Sequence, residues 1–232
     1  MSVRAVALGL AACVVMVVAI LAVVASSAAG REPAWWTLAA HDPATVGRLA
    51  ERVENAVVSE IHRGREDGQE WSVALSPEQA NAWIADRLPK WIDHGAGKHT
   101  EKPEVRVWFE RGAVLVAARL GDRQRIVTAT LRPWIDDDGA LWARLDGVAI
   151  GRLSAPGGAA WAGERLAALA PADALGAEAP GADDQRLLAA LSGRNALLDQ
   201  PVIDLEDGRR VRLAGVRVEE DRLGLTWVTE RR

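Results

Sequence analysis

An uninterrupted apolar run near the N-terminus constrains this chain more than any other feature. Residues 5 to 25 consist only of Ala, Val, Leu, Ile, Gly, Cys and Met. As a helix with a rise of about 1.5 Å per residue, the run would span about 31 Å, the thickness of a bilayer hydrocarbon core. The sequence therefore predicts one transmembrane helix within an N-terminal anchor or uncleaved signal, residues 1 to 30, followed by a folded domain, residues 31 to 232.

Charges beside the run predict the side of the membrane on which the domain lies. Arg4 precedes the run, Arg31 and Glu32 cancel each other after it, and positive residues favour the cytoplasmic side. The domain is thus expected to be extracytoplasmic, in a single-pass cell-membrane protein of the envelope. The alternatives are cleavage after the small residues 26 to 29, which would give a secreted or periplasmic protein, and lipidation at Cys13. The run is longer than the hydrophobic part of most signal peptides, about 7 to 15 residues, which favours a retained anchor.

Two adjacent tryptophans, Trp35 and Trp36, follow the run closely. Indole suits the wet interface of a membrane, where the ring is buried and its N–H stays solvated. Two tryptophans in the core of the domain would give the same sequence, so the pattern leaves both interpretations open.

Composition limits the partners and the chemistry of the domain. The chain is 49% hydrophobic and 26% charged, as in globular proteins, and the roughly 200 residues outside the anchor can form one domain with its own core. The net charge is −4, so the chain lacks the basic excess that phosphates attract, and nucleic acid is not expected as a partner. The sole cysteine, Cys13, lies in the apolar run, which excludes a disulfide within the domain.

The first part of the domain shows helical periodicity. Asp42 and Pro43 suit a helix N-terminus, and apolar residues then recur every three or four positions, which predicts a helix over about 43 to 62. Alternating apolar residues predict a short strand over about 71 to 75.

A second helix is predicted from its end signals. Ser76-Pro77-Glu78-Gln79 forms a capping-box pattern that opens the helix, and Pro89 is expected to end it. A polar loop should then extend from residue 93 to residue 103.

Alternation of apolar and polar residues next predicts two β-hairpins. In the first, the turn Arg111-Gly112 joins strands whose apolar residues can share one face. In the second, strands over about 124 to 134 and 140 to 150 meet at the turn Asp136-Asp137-Asp138-Gly139. A register centred on Asp138 puts Leu131 on the apolar face and the neighbouring arginines and tryptophans on the other.

The C-terminal third is expected to contain helices over 159 to 170 and 182 to 192, and strands around 202 to 205, 211 to 218 and 223 to 228. Hairpins combined with separate helices are typical of an α+β fold. The sequence predicts an antiparallel, hairpin-rich curved sheet with flanking helices, preceded by the transmembrane helix.

No familiar catalytic or cofactor-binding motif occurs in the sequence, which has no nucleophile elbow, phosphate-binding loop or dinucleotide fingerprint. His94 and His99 share an acidic loop, but their spacing does not stack them on one helix face, so no metal site is expected. Residues 136 to 139 lack the alternating ligands and the distal glutamate of a calcium loop and suit a turn. We expect a non-catalytic protein without cofactors, although catalytic groups can converge from distant positions without a motif.

Two surfaces of the predicted sheet are candidates for binding. One is an apolar groove on the concave face, lined by Val105, Val107, Val114, Val116, Val127 and Leu131. The other is an exposed patch on the opposite face, formed by Arg106, Trp108, Arg132, Trp134, Trp142 and Arg144. Arginine stacked on indole can serve as a structural ladder, or it can hold an anionic or sugar-bearing envelope polymer or a lipid headgroup.

The stretch from LSPEQANAWI through VRVWFERGAVLVAARL to LRPWIDDDGALWARLDGVAIGRLSAPGG, about residues 72 to 158, resembles the YpmS-like family of membrane-anchored extracytoplasmic bacterial proteins. In that family an anchor precedes a helix with an asparagine, then hairpins and a glycine- and proline-containing element. Asn81, Gly139, Gly151 and Pro156 stand at the matching positions. The Arg/Trp-rich second half of the hairpin and a longer Ala/Pro-rich tail depart from the family pattern.

Similar elongated envelope proteins bind lipids in an apolar groove, so the resemblance implies a membrane-anchored protein that binds a lipid or other apolar ligand. The alternative is a protein-interaction scaffold in an envelope assembly that uses the Arg/Trp patch. The expected partners are the membrane, through residues 5 to 25, and a lipid or an envelope protein.

Overall fold

The computed structural model of the chain describes residues 30–38, 43–95, 104–120, 125–154, 190 and 193–231. The predicted transmembrane run, the predicted helix over 159 to 170 and most of the one over 182 to 192 lie outside these residues. Within the described ranges, no helix is both long enough and apolar enough to cross a bilayer.

The described part of the chain forms three helices and nine strands. The helices are α1 (Ala34–Leu38), α2 (Pro43–His62) and α3 (Pro77–Gly95). The strands are β1 (Glu70–Leu75), β2 (Val105–Glu110), β3 (Ala113–Leu120), β4 (Arg125–Ile135), β5 (Leu141–Ile150), β6 (Leu153–Ser154), β7 (Val202–Asp204), β8 (Arg209–Glu219) and β9 (Arg222–Arg231). Every strand predicted from the sequence is present, whereas α1 and β6 are additions.

The strands form two antiparallel sheets, so the α+β class is confirmed but the expected single sheet is divided. A five-stranded sheet has the order β2-β3-β4-β5-β6, and a four-stranded sheet has the order β1-β9-β8-β7. In the four-stranded sheet, β1 pairs with β9, at the far end of the chain. Local alternation of apolar residues encodes a strand but not such a distant partner.

The second hairpin has the predicted register, because its pairing is centred on Asp138. The cross-strand pairs near its turn are Leu131 with Leu145, Arg132 with Arg144, and Trp134 with Trp142. Beyond them a β-bulge shifts the register at Thr130, and Asp146 becomes the extra residue on β5. The first hairpin has its predicted two-residue turn, in which Gly112 adopts a φ of +77°, a conformation that favours glycine.

Helix α3 begins with the predicted capping box. The backbone N–H of Gln79 donates to Ser76 Oγ at 3.2 Å, and the Ser76 N–H donates to Gln79 Oε1 at 2.9 Å. The predicted end at Pro89 is wrong, since the helix continues to Gly95 with Pro89 inside it. Proline deprives the Ala85 carbonyl of its usual hydrogen bond, but Ala85 is exposed, so water can satisfy that carbonyl.

The two sheets meet at the tips of their hairpins and share an apolar core. The Gly112 N–H donates to the Val218 carbonyl at 2.9 Å, and the Asp221 N–H donates to the Phe109 carbonyl at 3.2 Å. Phe109 is 1% exposed and clusters with Val107 and Val218, while side chains of α3 pack against the cluster. Helix α3 and both sheets therefore contribute to one core.

Hydrogen bonds from the side chain of Asn81 join α3 to β2, an edge strand of the five-stranded sheet. Its Nδ2 donates to the Val107 carbonyl at 2.8 Å, and its Oδ1 accepts the Val107 N–H at 2.7 Å. Asn81 itself is 2% exposed. The side-chain amide thus forms the two hydrogen bonds to Val107 that the backbone of a further strand would form at this edge of the sheet.

Candidate functional site

The five-stranded sheet has one face with the expected groove residues and an opposite face with the arginines and tryptophans, which also carries the buried Leu115, Ala117 and Ile126. The registers of β2, β3 and β4 place all six residues of the expected groove on the first of these faces: Val105, Val107, Val114, Val116, Val127 and Leu131. Val107 is buried and the other five are half-buried. Ala80 and Ile84 of α3 pack against the cluster that contains Val107, so the helix covers the β2 side of this face.

The arginines and tryptophans of the opposite face fall into two groups. Arg106 and Trp108 lie on β2, and both are half-buried against residues 31 to 36, which we call the tether. The second group lies near the turn of β4 and β5 and contains Arg132, Trp134, Trp142 and Arg144. The expected single exposed patch is therefore wrong for the β2 pair, because the tether packs over that end of the sheet.

Trp36 anchors the tether in the sheet. It is 1% exposed and clusters with Ala117 and Ile126. Trp35 packs beside it and stacks on Trp108, with ring centroids 6.4 Å apart. Of the two interpretations of this tryptophan pair, the structure supports packing within the domain.

Ion pairs also hold the tether. Arg119 lies 2.8 Å from Glu32 and 2.9 Å from Glu104. Arg106 pairs with Glu104 and donates to the Trp36 carbonyl, and its guanidinium lies 4.5 Å from the centroid of the Trp36 ring. Partial burial by itself would raise the pKa of Glu104, but the hydrogen bonds and charges of Arg119 and Arg106 outweigh it and lower the pKa. The tether is therefore held by charges that persist at neutral pH.

The second group is open to solvent at the arginines. The side chains of Arg132 and Arg144 are 52% and 55% exposed, and their Nε atoms donate to Asp146 at 2.7 and 2.9 Å. The hydrogen bond from Arg132 is the main cause that lowers the pKa of Asp146, and the bond from Arg144 adds to it. The bulge thus places a carboxylate between two facing guanidinium groups that would otherwise repel each other.

Trp134 and Trp142 form a stacked pair beside these arginines, with ring centroids 5.7 Å apart and planes at 11°. The Trp142 indole N–H donates to Asp136 Oδ2 at 2.6 Å, and Asp136 Oδ1 accepts the backbone N–H groups of Asp138 and Ala140. These hydrogen bonds, the one from Trp142 above all, lower the pKa of Asp136. An ionised Asp136 therefore closes the turn, which confirms the turn interpretation of residues 136 to 139.

A cavity of about 1010 Å³, which we call the distal cleft, opens beside this turn. One wall belongs to the hairpin and consists of Asp136, Asp138, Ala140 and Trp142. The other wall consists of Ala190 and residues 194 to 200. Backbone hydrogen bonds fix this second wall to β5, since the Leu141 N–H donates to the Leu198 carbonyl at 2.8 Å and the Leu197 N–H donates to the Leu141 carbonyl at 2.7 Å.

The distal cleft is continuous with the second Arg/Trp group. Trp142 lines the cleft. Gly193 lies so close to Arg144 that a Cβ atom added to this glycine would be 3.6 Å from Arg144 Cγ. The backbone that leads into the second wall of the cleft therefore contacts this arginine. None of the six residues of the expected groove lines the cleft. Sequence reasoning found Trp142 but missed residues 193 to 200, whose polar composition resembles that of any surface turn.

The ionisable groups at and beside the cleft are carboxylates and guanidinium groups. No group of three or more His, Cys, Asp or Glu that could hold a metal ion occurs among the residues that the structure describes. His94 lies in the last turn of α3, and His99 lies outside the described ranges. The lowered pKa values of Asp136 and Asp146 keep both carboxylates ionised, whereas a general acid needs a raised pKa.

Comparison of the chain with protein-family models, with curated proteins and with solved structures found no match. The resemblance to the YpmS-like family therefore stays a prediction.

Proposed function

We propose that this chain is a non-catalytic, membrane-anchored binding module of the cell envelope whose ligand occupies the distal cleft. The observation that carries the proposal is the docked tether. The tether, which begins six residues after the predicted transmembrane run, packs into the sheet at the end opposite to the cleft. A domain built in this way is held near its anchor and turns its cleft outward.

The distance between the tether end of the five-stranded sheet and its cleft end follows from strand geometry. Glu32 of the tether contacts Arg119, near the end of β3, and its carbonyl accepts from Arg152, just after β5. The cleft lies at the other end of β4 and β5. A strand rises about 3.3 Å per residue, so the first and last of the 11 residues of β4 lie about 33 Å apart.

Chain length limits how far the docked end can lie from the membrane. Residues 26 to 31 are all that separate the predicted transmembrane run from Glu32. Even when fully extended, six residues reach about 21 Å at about 3.5 Å each. The docked end therefore stays near the bilayer, while the cleft can lie well beyond it.

The size and lining of the cleft support a binding role. Ligand sites commonly occupy about 300 to 1,000 Å³ and combine aromatic side chains with a few polar groups. The distal cleft, with about 1010 Å³, contains Trp142 and several polar side chains. A lipid in the predicted groove has weaker support, since Val107 is buried and α3 covers that side.

The scaffold function is a second candidate, favoured by the exposure of Arg132 and Arg144 next to the cleft. Interfaces are enriched in arginine and tryptophan, and this group supplies both. An envelope protein would then bind the same outward-facing end.

Cysteine crosslinking in the intact membrane tests the proposal. Cys13 is the sole cysteine, so a Cys13→Ser background allows pairs to be placed at will. Glu32→Cys with Arg119→Cys should crosslink with a short bismaleimide, whereas Glu32→Cys with Asp138→Cys should not. A maleimide that cannot cross membranes should label Asp138→Cys in spheroplasts. Protection of Asp138→Cys until the membrane is lysed would overturn the extracytoplasmic location.

A further inference from the structure

We infer that the distal cleft binds an oligosaccharide without anionic groups. The inference rests on the proposed function and names the ligand of the same site. Three properties of the cleft lead to it: an immobilised aromatic ring in one wall, a set of exposed hydrogen-bonding groups in both walls, and more carboxylates than guanidinium groups in the lining.

Trp142 supplies the aromatic wall. Its ring stacks on Trp134, and its indole N–H is held by Asp136 at 2.6 Å, so the orientation of the ring is fixed before any ligand arrives. A sugar ring has one face of C–H groups, which packs flat on an aromatic ring. A ring that is already immobile loses little conformational entropy on binding. The fixed orientation of the Trp142 ring thus favours the binding of a flat, partly apolar ligand.

The exposed polar groups supply hydrogen bonds of both kinds. Asp138 on the hairpin and Arg194, Asn195, Asp199 and Gln200 on the facing wall all line the cleft, and all are exposed. Carboxylates only accept hydrogen bonds, a guanidinium only donates them, and amides do both. Sugar hydroxyls both donate and accept, so one oligosaccharide can satisfy the whole set.

The charges of the lining select against other ligand classes. Three carboxylates, those of Asp136, Asp138 and Asp199, and one guanidinium group, that of Arg194, line the cleft. Arg132 and Arg144 lie beside the cleft and share the carboxylate of Asp146. Since the pKa of Asp136 is lowered, its carboxylate adds to the negative charge of the lining at neutral pH. This charge disfavours phosphate-bearing polymers and anionic lipid headgroups. Six of the twelve lining residues are polar or charged, which also disfavours an acyl chain.

The test uses the full chain, purified in a detergent that has no sugar headgroup. The probes are an array of neutral, amino-substituted and phosphorylated oligosaccharides, followed by calorimetry with the tightest-binding member. Neutral or amino-substituted members should bind. In a spectrum of ¹⁵N-labelled indole groups, the Trp142 signal should shift on binding.

Two neighbouring aspartates of the turn provide matched variants. Asp138 and Asp137 are both exposed, but Asp138 lines the cleft and Asp137 does not. Asp138→Ala should weaken binding about tenfold, equivalent to about 1.4 kcal/mol, and Asn195→Ala should also weaken it. Asp137→Ala should leave the affinity unchanged.

Several results would overturn the inference. They are binding to no neutral or amino-substituted member, binding confined to phosphorylated members, or equal effects of Asp137→Ala and Asp138→Ala. These results are separate from the crosslinking experiment, which tests the location and the docked tether whether or not a sugar binds. Failure here with successful crosslinking would refute the sugar ligand while the proposed location and docked tether stand.

Discussion

Asn81→Ala should destabilise the domain strongly, because the Asn81 amide satisfies two backbone groups at once. It bonds the N–H and the carbonyl of Val107, at 2.7 and 2.8 Å, at a position where only 2% of Asn81 is exposed. Alanine would leave both groups beneath α3 without a partner. A buried backbone group that loses its hydrogen bond carries the full cost of its desolvation.

The expected magnitude follows from two lost hydrogen bonds. Each group costs about 1 to 3 kcal/mol when unpaired, which gives a decrease of about 2 to 6 kcal/mol in the free energy of unfolding. For a domain of about 200 residues, this corresponds to a fall in Tm of roughly 5 to 20 °C. Urea unfolding followed by tryptophan fluorescence measures the first quantity, and calorimetry measures the second. Asn55→Ala, at an exposed position on α2, is the control and should change stability by less than about 0.5 kcal/mol.

Asn81→Asp separates hydrogen bonding from packing, since the two side chains have nearly the same shape. A protonated carboxyl group can donate to the Val107 carbonyl and accept the Val107 N–H, whereas a carboxylate can only accept. The folded state therefore favours the protonated form, which raises the folded pKa of the new carboxyl group. The stability from this group is fully present below the unfolded pKa of about 3.9 and is lost as the pH rises through the folded pKa.

The difference in the free energy of unfolding between the Asn81→Asp variant and the unmodified chain should therefore be small near about pH 4 and grow toward about pH 7. Unfolding curves at a series of pH values measure it. A difference that does not change with pH would refute the reasoning. So would a cost of Asn81→Ala below about 0.5 kcal/mol, because Val107 would then have found other partners.

Three further predictions concern capping, register and acid stability. Ser76→Ala should cost about 1 kcal/mol and lower Tm by about 2 to 4 °C in calorimetry, and an unchanged Tm would contradict the capping role. Leu131→Asp should abolish folding, because it places a charge against Leu145. The Trp134→Ala variant should remain folded, as measured by circular dichroism. The opposite result for the two variants would mean a register shifted by one residue. The Asp146→Asn variant should lose less stability in acid than the unmodified chain. The lowered pKa of Asp146 gives stability above its unfolded pKa, and this stability is lost as the pH falls through the folded pKa. Equal acid unfolding curves for the two proteins would contradict this prediction.

The elements that the sequence predicted correctly are specified by neighbouring residues. The capping box at Ser76 and the turn that Asp136 closes depend on contacts within four positions of the chain. The register of β4 and β5 follows from that turn, because the two strands must pair outward from it. The prediction at Pro89 failed because the lost hydrogen bond lies on an exposed side of α3, where water can replace it.

In the candidate site as well, the features set by local contacts were predicted from the sequence, and the features set by distant contacts were not. The sequence by itself determined that Trp142 and Arg144 share the face opposite to Leu131, since strand alternation is a local property. It could not determine that residues 193 to 200 face Trp142, or that Trp36 packs into the sheet beside Ala117. Those contacts join segments far apart in the chain, and they form only where the whole core packs favourably enough to offset the entropy of closing long loops. Tertiary structure alone therefore decided where the cleft lies and which end of the sheet the tether occupies.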